Sequence, residues 1–172
     1  MADYLLKVPL VGQRHGYNSK PLQQKDRFGI LKDHGSMACW YASACMVSYY
    51  YRAGPRLGLP KRWEINRGIT SKTIDELAKV EGLISIEKPT IGLTIESIFQ
   101  LLMEYGPIWA AGKYLDDNPE QAHAIVLTGV QYPYVHYNDP WEPKAKKNFA
   151  EWIDSKLLLI SNALLVKDKN RY

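Results

Sequence analysis

The chain contains only two cysteines among its 172 residues, too few for the disulfide framework of a small secreted protein. Cys39 and Cys45 are six positions apart in one predicted helix, so their side chains point in different directions and are poorly placed to pair. The sequence has neither a CxxC pair nor a His/Cys group with zinc-ligand spacing. We therefore expect two free thiols and no metal or other cofactor.

Long apolar runs and a strong excess of one charge are also absent. No stretch reaches the roughly 18 apolar residues that a membrane span needs, and residues 1–4 do not resemble the start of a secretory signal. The net charge of +4 is small, and apart from residues 144–147 and the C-terminal end the basic residues are scattered. We interpret them as a solvated face and expect no nucleic-acid and no membrane partner.

The composition, with 46% hydrophobic and 23% charged residues, is that of an ordinary globular protein, and we expect residues 1–172 to form a single domain. Residues 4–13 indicate an edge strand. The polar residues 14–36 indicate a long surface loop or insertion. Hydrophobic periodicity and turn residues predict the remaining elements. The predicted helices cover about 37–52, 72–80, 95–105 and 148–157, and the predicted strands 108–114, 122–131, 134–138 and 163–166. This order of helices followed by antiparallel strands predicts an α+β fold in two layers.

Residues 37–47 contain the first candidate for chemistry. They follow a polar, glycine-containing turn in which Ser36 or a neighbour can cap a helix, and this places Cys39 in the first turn of that helix. The exposed N–H groups and the positive end of the helix dipole there favour a thiolate over a thiol. The alternative is an inert thiol in the core, since free cysteine is among the most buried residue types.

Two later residues favour the nucleophile. His123 begins a long apolar strand, and Asp139 ends the next strand sixteen residues later, which is about the length of a hairpin. The carboxylate of Asp139 can therefore return beside the imidazole and orient it towards the thiol. Each residue taken alone is more often structural, but a cysteine, then a histidine, then an acid in this order is typical of a thiol nucleophile, its base and the orienting group.

Five segments together resemble the papain-like cysteine proteases. They are residues 8–13 (VPLVGQ), 37–44 (MACWYASA), 106–109 (GPIW), 123–129 (HAIVLTG) and 138–141 (NDPW). The resemblance is to the small bacterial effectors delivered into host plant cells, and also to the peptidase domains that trim double-glycine leaders from bacteriocins. It implies a papain-like fold, in which an N-terminal helical part with the nucleophile helix packs on an antiparallel sheet.

The resemblance also implies roles for these residues. Cys39 would be the nucleophile, His123 the general base and then acid, and Asp139 the orienting acid. Papain uses asparagine in the third role, so Asn138 is the alternative to Asp139. We prefer Asp139 because the bacterial relatives have the acid directly before the proline.

The family also uses a glutamine amide in its oxyanion hole, usually a few residues before the cysteine. Gln13 ends the matching segment here, which makes residues 14–36 an insertion after it. Gln23 and Gln24 are the alternatives.

The substrate is less visible in the sequence. Trp40, Trp109 and Trp141 are placed to line or support a cleft, although core packing is an alternative role for at least two of them. The resemblance implies a protein substrate, a preference for glycine-containing sites, and a bacterial effector or toxin. Such a protein would be exported without a signal peptide, would act in the cytoplasm of a target cell, and would be neutralised by an immunity protein. An amidase acting on peptidoglycan or isopeptide bonds and a non-catalytic binding module remain alternatives.

Overall fold

The computed structural model of the chain describes residues 2–14, 23–25, 31–33, 37–53, 59, 61–62, 68 and 70–171. Four helices with defined bounds lie in these ranges. They are α1 (Cys39–Tyr50), α2 (Ser71–Glu81), α3 (Ile95–Tyr105) and α4 (Ala150–Lys156). No helix in the described ranges has the length and apolar character that crossing a bilayer requires.

The main sheet has seven antiparallel strands. Its strands are β1 (Tyr4–Leu5), β4 (Leu83–Ile86), β5 (Ile108–Gly112), β6 (His123–Gln131), β7 (Tyr134–Asp139), β8 (Lys144–Phe149) and β9 (Leu164–Lys167). Six strands follow the order β4-β9-β5-β6-β7-β8, and β1 pairs with the far end of β6. This architecture confirms the predicted α+β class. Two further strands, β2 (Gln23–Lys25) and β3 (Leu31–Asp33), form a separate antiparallel pair, so the segment 14–36 is not loop throughout as the sequence suggested.

The prediction of two layers was wrong, because helices cover both faces of the sheet. Successive strand residues point to opposite faces, and the core divides accordingly. Helices α1 and α2 pack with Trp109, Ala111, Val126 and Leu165. Helices α3 and α4 pack with the alternate positions Ile108, Ala110, Ile125, Leu127, Leu164 and Val166. The two central strands β5 and β6 are therefore buried on both sides, as their continuous apolar sequences require.

Caps define the ends of two helices where the sequence placed them. At α3, the Ser97 N–H donates to Thr94 Oγ1 and the Thr94 N–H donates to Ser97 Oγ, which satisfies two exposed donors reciprocally. Gly82 ends α2 in the left-handed conformation that favours glycine. Met103, near the end of α3, is 56% exposed and lies off the buried face of the helix.

The N-terminal segment reaches the sheet through a close backbone approach. The Leu6 N–H donates to the Thr128 carbonyl at 2.8 Å, and Leu5 pairs with Gly129. A β-carbon at Gly129 would lie 2.6 Å from the Tyr4 carbonyl oxygen, so a side chain there would displace β1. Glycine at this position therefore lets the first residues run along β6 and continue towards its beginning, where His123 lies.

Candidate active site

Cys39 is the first residue of α1 and is half-buried. The residue at the helix N-cap is Ala38, whose side chain has no hydrogen-bonding group. The expectation of a side-chain cap at α1 is therefore wrong at the observed boundary, while Ser36 lies outside the described residues. The N–H groups of Tyr41 and Ala42 bond to the Ala38 carbonyl at 3.2 and 3.1 Å. The thiol thus lies at the positive end of a buried helix, which stabilises negative charge on sulfur.

Two side-chain hydrogen bonds fix the start of α1 on the sheet. Ser43 Oγ donates to the Ala124 carbonyl at 3.1 Å, directly beside His123 on β6. The Trp109 indole N–H donates to the Trp40 carbonyl at 3.1 Å, which joins the first turn to β5. These bonds tie the residues next to Cys39 and His123 to one another, so the thiol and the imidazole keep a fixed spacing.

His123 lies beside both of its predicted partners. Its Nε2 is 2.7 Å from Asp139 Oδ1, and the ring lines the same cleft as Cys39, so Nδ1 is the nitrogen left for the sulfur. Burial by itself would lower the pKa of His123. The hydrogen bonds to Asp139 and Cys39 and the charges of both outweigh burial and raise the pKa to about 9. The imidazolium is therefore the favoured form at neutral pH.

Asp139 lies at the end of β7 and is 2% exposed. Besides the histidine, its Oδ1 accepts the Trp141 N–H at 3.0 Å, and its Oδ2 accepts a bond from Lys146 Nζ at 2.9 Å. Burial would raise the pKa of this carboxyl, but the bonds from His123, Lys146 and Trp141 hold it below its usual value. The carboxylate is thus fixed and ionised, with all its described donors converging from three different segments.

Asn138, the alternative to Asp139, points elsewhere. Its Nδ2 donates to the Val8 carbonyl at 3.1 Å. Neighbouring residues of a strand point to opposite faces, so β7 can direct only one of the pair towards His123. The structure places the acid there and uses the amide to hold the N-terminal segment.

Gln13 is brought to the site by that segment. Its backbone N–H donates to the Pro140 carbonyl at 2.9 Å, one residue after Asp139, and its buried side chain lines the same cleft as Cys39 and His123. Gln23 and Gln24 are on β2, and their side chains lie outside the described part of the chain. An insertion between Gln13 and Cys39 is therefore compatible with a glutamine at the site.

Residues 22–157 match the protein family described as papain-like cysteine protease AvrRpt2. The match covers most of the chain and includes Cys39, His123 and Asp139, whereas Gln13 precedes it. The chain belongs to the AvrRpt2 family of papain-like cysteine proteases. It is a thiol hydrolase that acts on peptide bonds.

A solved structure of another protein shares the fold of this chain. It is the crystal structure of a double glycine motif protease from an AMS/PCAT transporter in complex with the leader peptide. The two chains are 18% identical and superpose with a TM-score of 0.54, covering 94% of this chain and 91% of the other. The likeness in fold therefore extends over nearly the whole chain.

The cleft of the protease has a volume of about 180 Å³ at the junction of α1, β5 and β6. Its lining includes all three predicted tryptophans, but they differ in exposure. Trp40 and Trp109 are each 1% exposed and belong to the core beneath the cleft. Trp141 is half-buried, and the Arg14 guanidinium lies 3.9 Å from the centre of its ring. Of the three tryptophans, Trp141 is thus the one that presents accessible surface at the cleft.

The sequence did not reveal several residues at the site of the protease. Lys146 is within a basic run that we had interpreted as a solvated face, yet it bonds to Asp139. Met37 and Gln121 meet across the cleft, with the Gln121 Nε2 3.6 Å from the Met37 sulfur. The contact between Met37 and Gln121 has no local signal because the two residues are distant in the sequence. Lys146 follows Asp139 by only seven residues, but its lysine-rich run does not resemble a strand, so the hairpin that joins the two residues was not predicted. No group of three or more His, Cys, Asp or Glu side chains in the described ranges could hold a metal.

Proposed function

We propose that the protease hydrolyses internal peptide bonds of a protein substrate through a Cys39–His123–Asp139 triad. The observation that carries this proposal is the position of His123, whose imidazole lines the same cleft as Cys39 and lies with its Nε2 2.7 Å from Asp139 Oδ1. These three side chains come from α1, β6 and the end of β7, and the first two line an open cleft. A nucleophile, a base and an orienting group in mutual contact are the minimum requirement for covalent catalysis by a thiol.

The reaction begins with attack of the Cys39 sulfur on the substrate carbonyl carbon. The oxyanion accepts hydrogen bonds from the Gln13 side-chain amide and from backbone N–H groups at the start of α1. The imidazolium of His123 then gives its proton to the leaving nitrogen, the C–N bond breaks and a thioester remains. Water attacks the thioester while His123 takes a proton from it. The acid product leaves, and the thiolate–imidazolium pair is restored.

The charge state of the site supports this order of steps. A pKa of about 9 keeps His123 protonated at neutral pH, where it pairs with the thiolate and holds the proton that the leaving amine needs. Asp139 stabilises that cation and fixes the ring, while the proton itself stays on the imidazole.

A narrow cleft supports a preference for glycine at the cleaved bond. Met37 and Gln121 approach each other across it, and Trp141 forms another part of its wall. Small substrate residues fit such a cleft, whereas branched or aromatic residues next to the bond would clash with its walls. The structural neighbour is a double glycine motif protease, which is consistent with this selection.

The biological role we propose is that of a bacterial effector or toxin acting in the cytoplasm of a target cell. This role is supported by the resemblance to small effector proteases. An inhibitory partner, such as an immunity protein in the producing cell, would protect against self-cleavage.

N-terminal peptide mapping of a target-cell lysate tests the activity and the preference together. Wild-type protein should create new N-termini that share glycine near the cleaved bond, and Cys39→Ala should create none. Identical peptide maps for the two proteins would contradict the proposal. New N-termini without any glycine enrichment would overturn only the preference. Cleavage of isolated peptidoglycan, with none in the proteome, would instead identify an amidase.

A further inference from the structure

Lys146 contacts the proposed triad from β8, a strand that contributes no other residue to it. Its Nζ lies 2.9 Å from Asp139 Oδ2, and its side chain is only 27% exposed. Lys146 pairs with Tyr137 across the sheet, so its side chain shares a face with Tyr137 and with Asp139 two positions further on. The register of β7 and β8 therefore aims this lysine at the oxygen that His123 does not use.

The charges of the site explain why a cation is needed there. The thiolate of Cys39 and the imidazolium of His123 form a neutral pair, and the carboxylate of Asp139 adds a buried negative charge. A buried charge without a partner is costly. The ammonium of Lys146 balances that charge and holds Oδ2 while His123 holds Oδ1.

We propose that Lys146 is a positioning residue of the protease, which keeps the carboxylate of Asp139 ionised and fixed towards His123. The proposal rests on the triad proposed above. Lys146 does not touch the substrate; it acts through Asp139. An asparagine in place of this acid would carry no charge and would make the lysine unnecessary, so the acid and the lysine form one functional unit.

Other charged and titratable groups also lie near Asp139 and Lys146, and the variants used in the test leave these groups unchanged. They are Cys39 on α1, Tyr137 on β7, Asp116 between β5 and β6, Glu142 between β7 and β8, and Arg14 beside Trp141. Burial lowers the pKa of Lys146, but the bond to Asp139 outweighs burial. The negative charges of Glu142 and Asp116 raise the pKa further. The lysine is therefore charged throughout the working pH range.

The first test is the pH profile of kcat/KM for Lys146→Met. Removing a nearby cation weakens the thiolate and strengthens the imidazolium, so both limbs of the profile should move towards alkaline pH by about half a unit to one unit. We expect kcat/KM at neutral pH to fall about tenfold. Lys146→Arg keeps the charge and should keep the wild-type profile.

Lys147→Met is the matched control. Lys147 is the next residue on β8, is exposed, and lies with its Nζ 4.7 Å from the centre of the Tyr134 ring. Its loss removes the same charge from the chain without a contact to Asp139, and both limbs should stay where they are. Equal shifts in the two variants, or a fall in Lys146→Met without any shift, would overturn the proposal.

A double-mutant comparison gives a readout that does not depend on pH. Lys146→Met should cost about tenfold in the wild-type background and little in the Asp139→Asn background, where no carboxylate needs balancing. If Lys146→Met alone fails to fold, Asp139→Asn with Lys146→Met should fold again. Additive effects, or no recovery, would overturn the role of the lysine. Activity retained by Cys39→Ala would instead overturn the proposed triad.

Discussion

The two cysteines of the protease lie on one helix and have opposite environments. Cys39 begins α1, is half-buried and is hydrogen-bonded to His123. Cys45 is buried inside the same helix, where burial raises the pKa of its thiol to about 12 although a bond from Tyr41 opposes the rise. In the proposed mechanism the same side chain is thus a nucleophile at the helix end, whereas six residues later it is a buried core group. Position relative to solvent and to a cation, not residue type, decides reactivity.

The largest difference between the two cysteines is expected in the effects of their alanine substitutions on activity and stability. Cys39→Ala removes the attacking atom, and we expect peptide hydrolysis to fall by at least about 10⁴-fold with the fold intact. Cys45→Ala should keep the activity and lower the free energy of unfolding by about 1 kcal/mol, because it leaves a small cavity. Turnover of a cleaved peptide and urea unfolding measure the two effects. An inactive but stable Cys45→Ala protein would reverse the assignment.

Gln13→Ala tests whether the environment of Cys39 includes an oxyanion donor. Loss of one such donor costs about 10²–10³ in kcat, while the backbone bond from residue 13 to Pro140 remains and should preserve the fold. The half-buried Gln131, which bonds to Asp3 away from the cleft, provides the control variant Gln131→Ala. Unchanged kcat in Gln13→Ala would transfer the role to another donor, with Gln23 and Gln24 as the next candidates.

The raised pKa of His123 predicts a smaller effect, on stability. The folded-state pKa of about 9 exceeds the ordinary value of 6.5. The stabilisation is therefore complete below about pH 6.5 and is lost as the pH rises through about 9. The loss should be about 3 kcal/mol in urea unfolding. His123→Ala should remove most of this loss of stability at alkaline pH. The control is His136→Ala, which should leave the loss unchanged because the pKa of His136 is lowered in the fold. An equal decline in His123→Ala would show that other groups cause it.

Local signals in the sequence were sufficient for much of the framework. The bounds of α3 were predicted to the residue because Thr94 caps one end and Gly106-Pro107 stops the other. The meeting of His123 and Asp139 could be predicted because a hairpin of known length joins them. The preference for Asp139 over Asn138 came from the resemblance to the bacterial relatives, and strand alternation accounts for the different partners of the two side chains.

The remaining features depend on how each segment is placed in the folded sheet. Strands β4 and β8 were not predicted, because Leu83–Ile86 is short and Lys144–Phe149 is too rich in lysine to resemble a strand. The sheet edge accepts such a strand, and its register then carries Lys146 to Asp139. Burial of β5 and β6 on both faces likewise depends on helices far away in the sequence. No local pattern contains this information.

Site-resolved alkylation tests the central claim most directly. Native protein is treated with iodoacetamide near neutral pH, and the modification of Cys39 and Cys45 is followed separately by peptide mapping. We predict that Cys39 reacts much faster than free cysteine, that Cys45 stays unmodified until the protein unfolds, and that His123→Ala slows only Cys39. Equal rates at the two cysteines, or a Cys39 rate unaffected by His123→Ala, would contradict the pairing of this thiol with this imidazole.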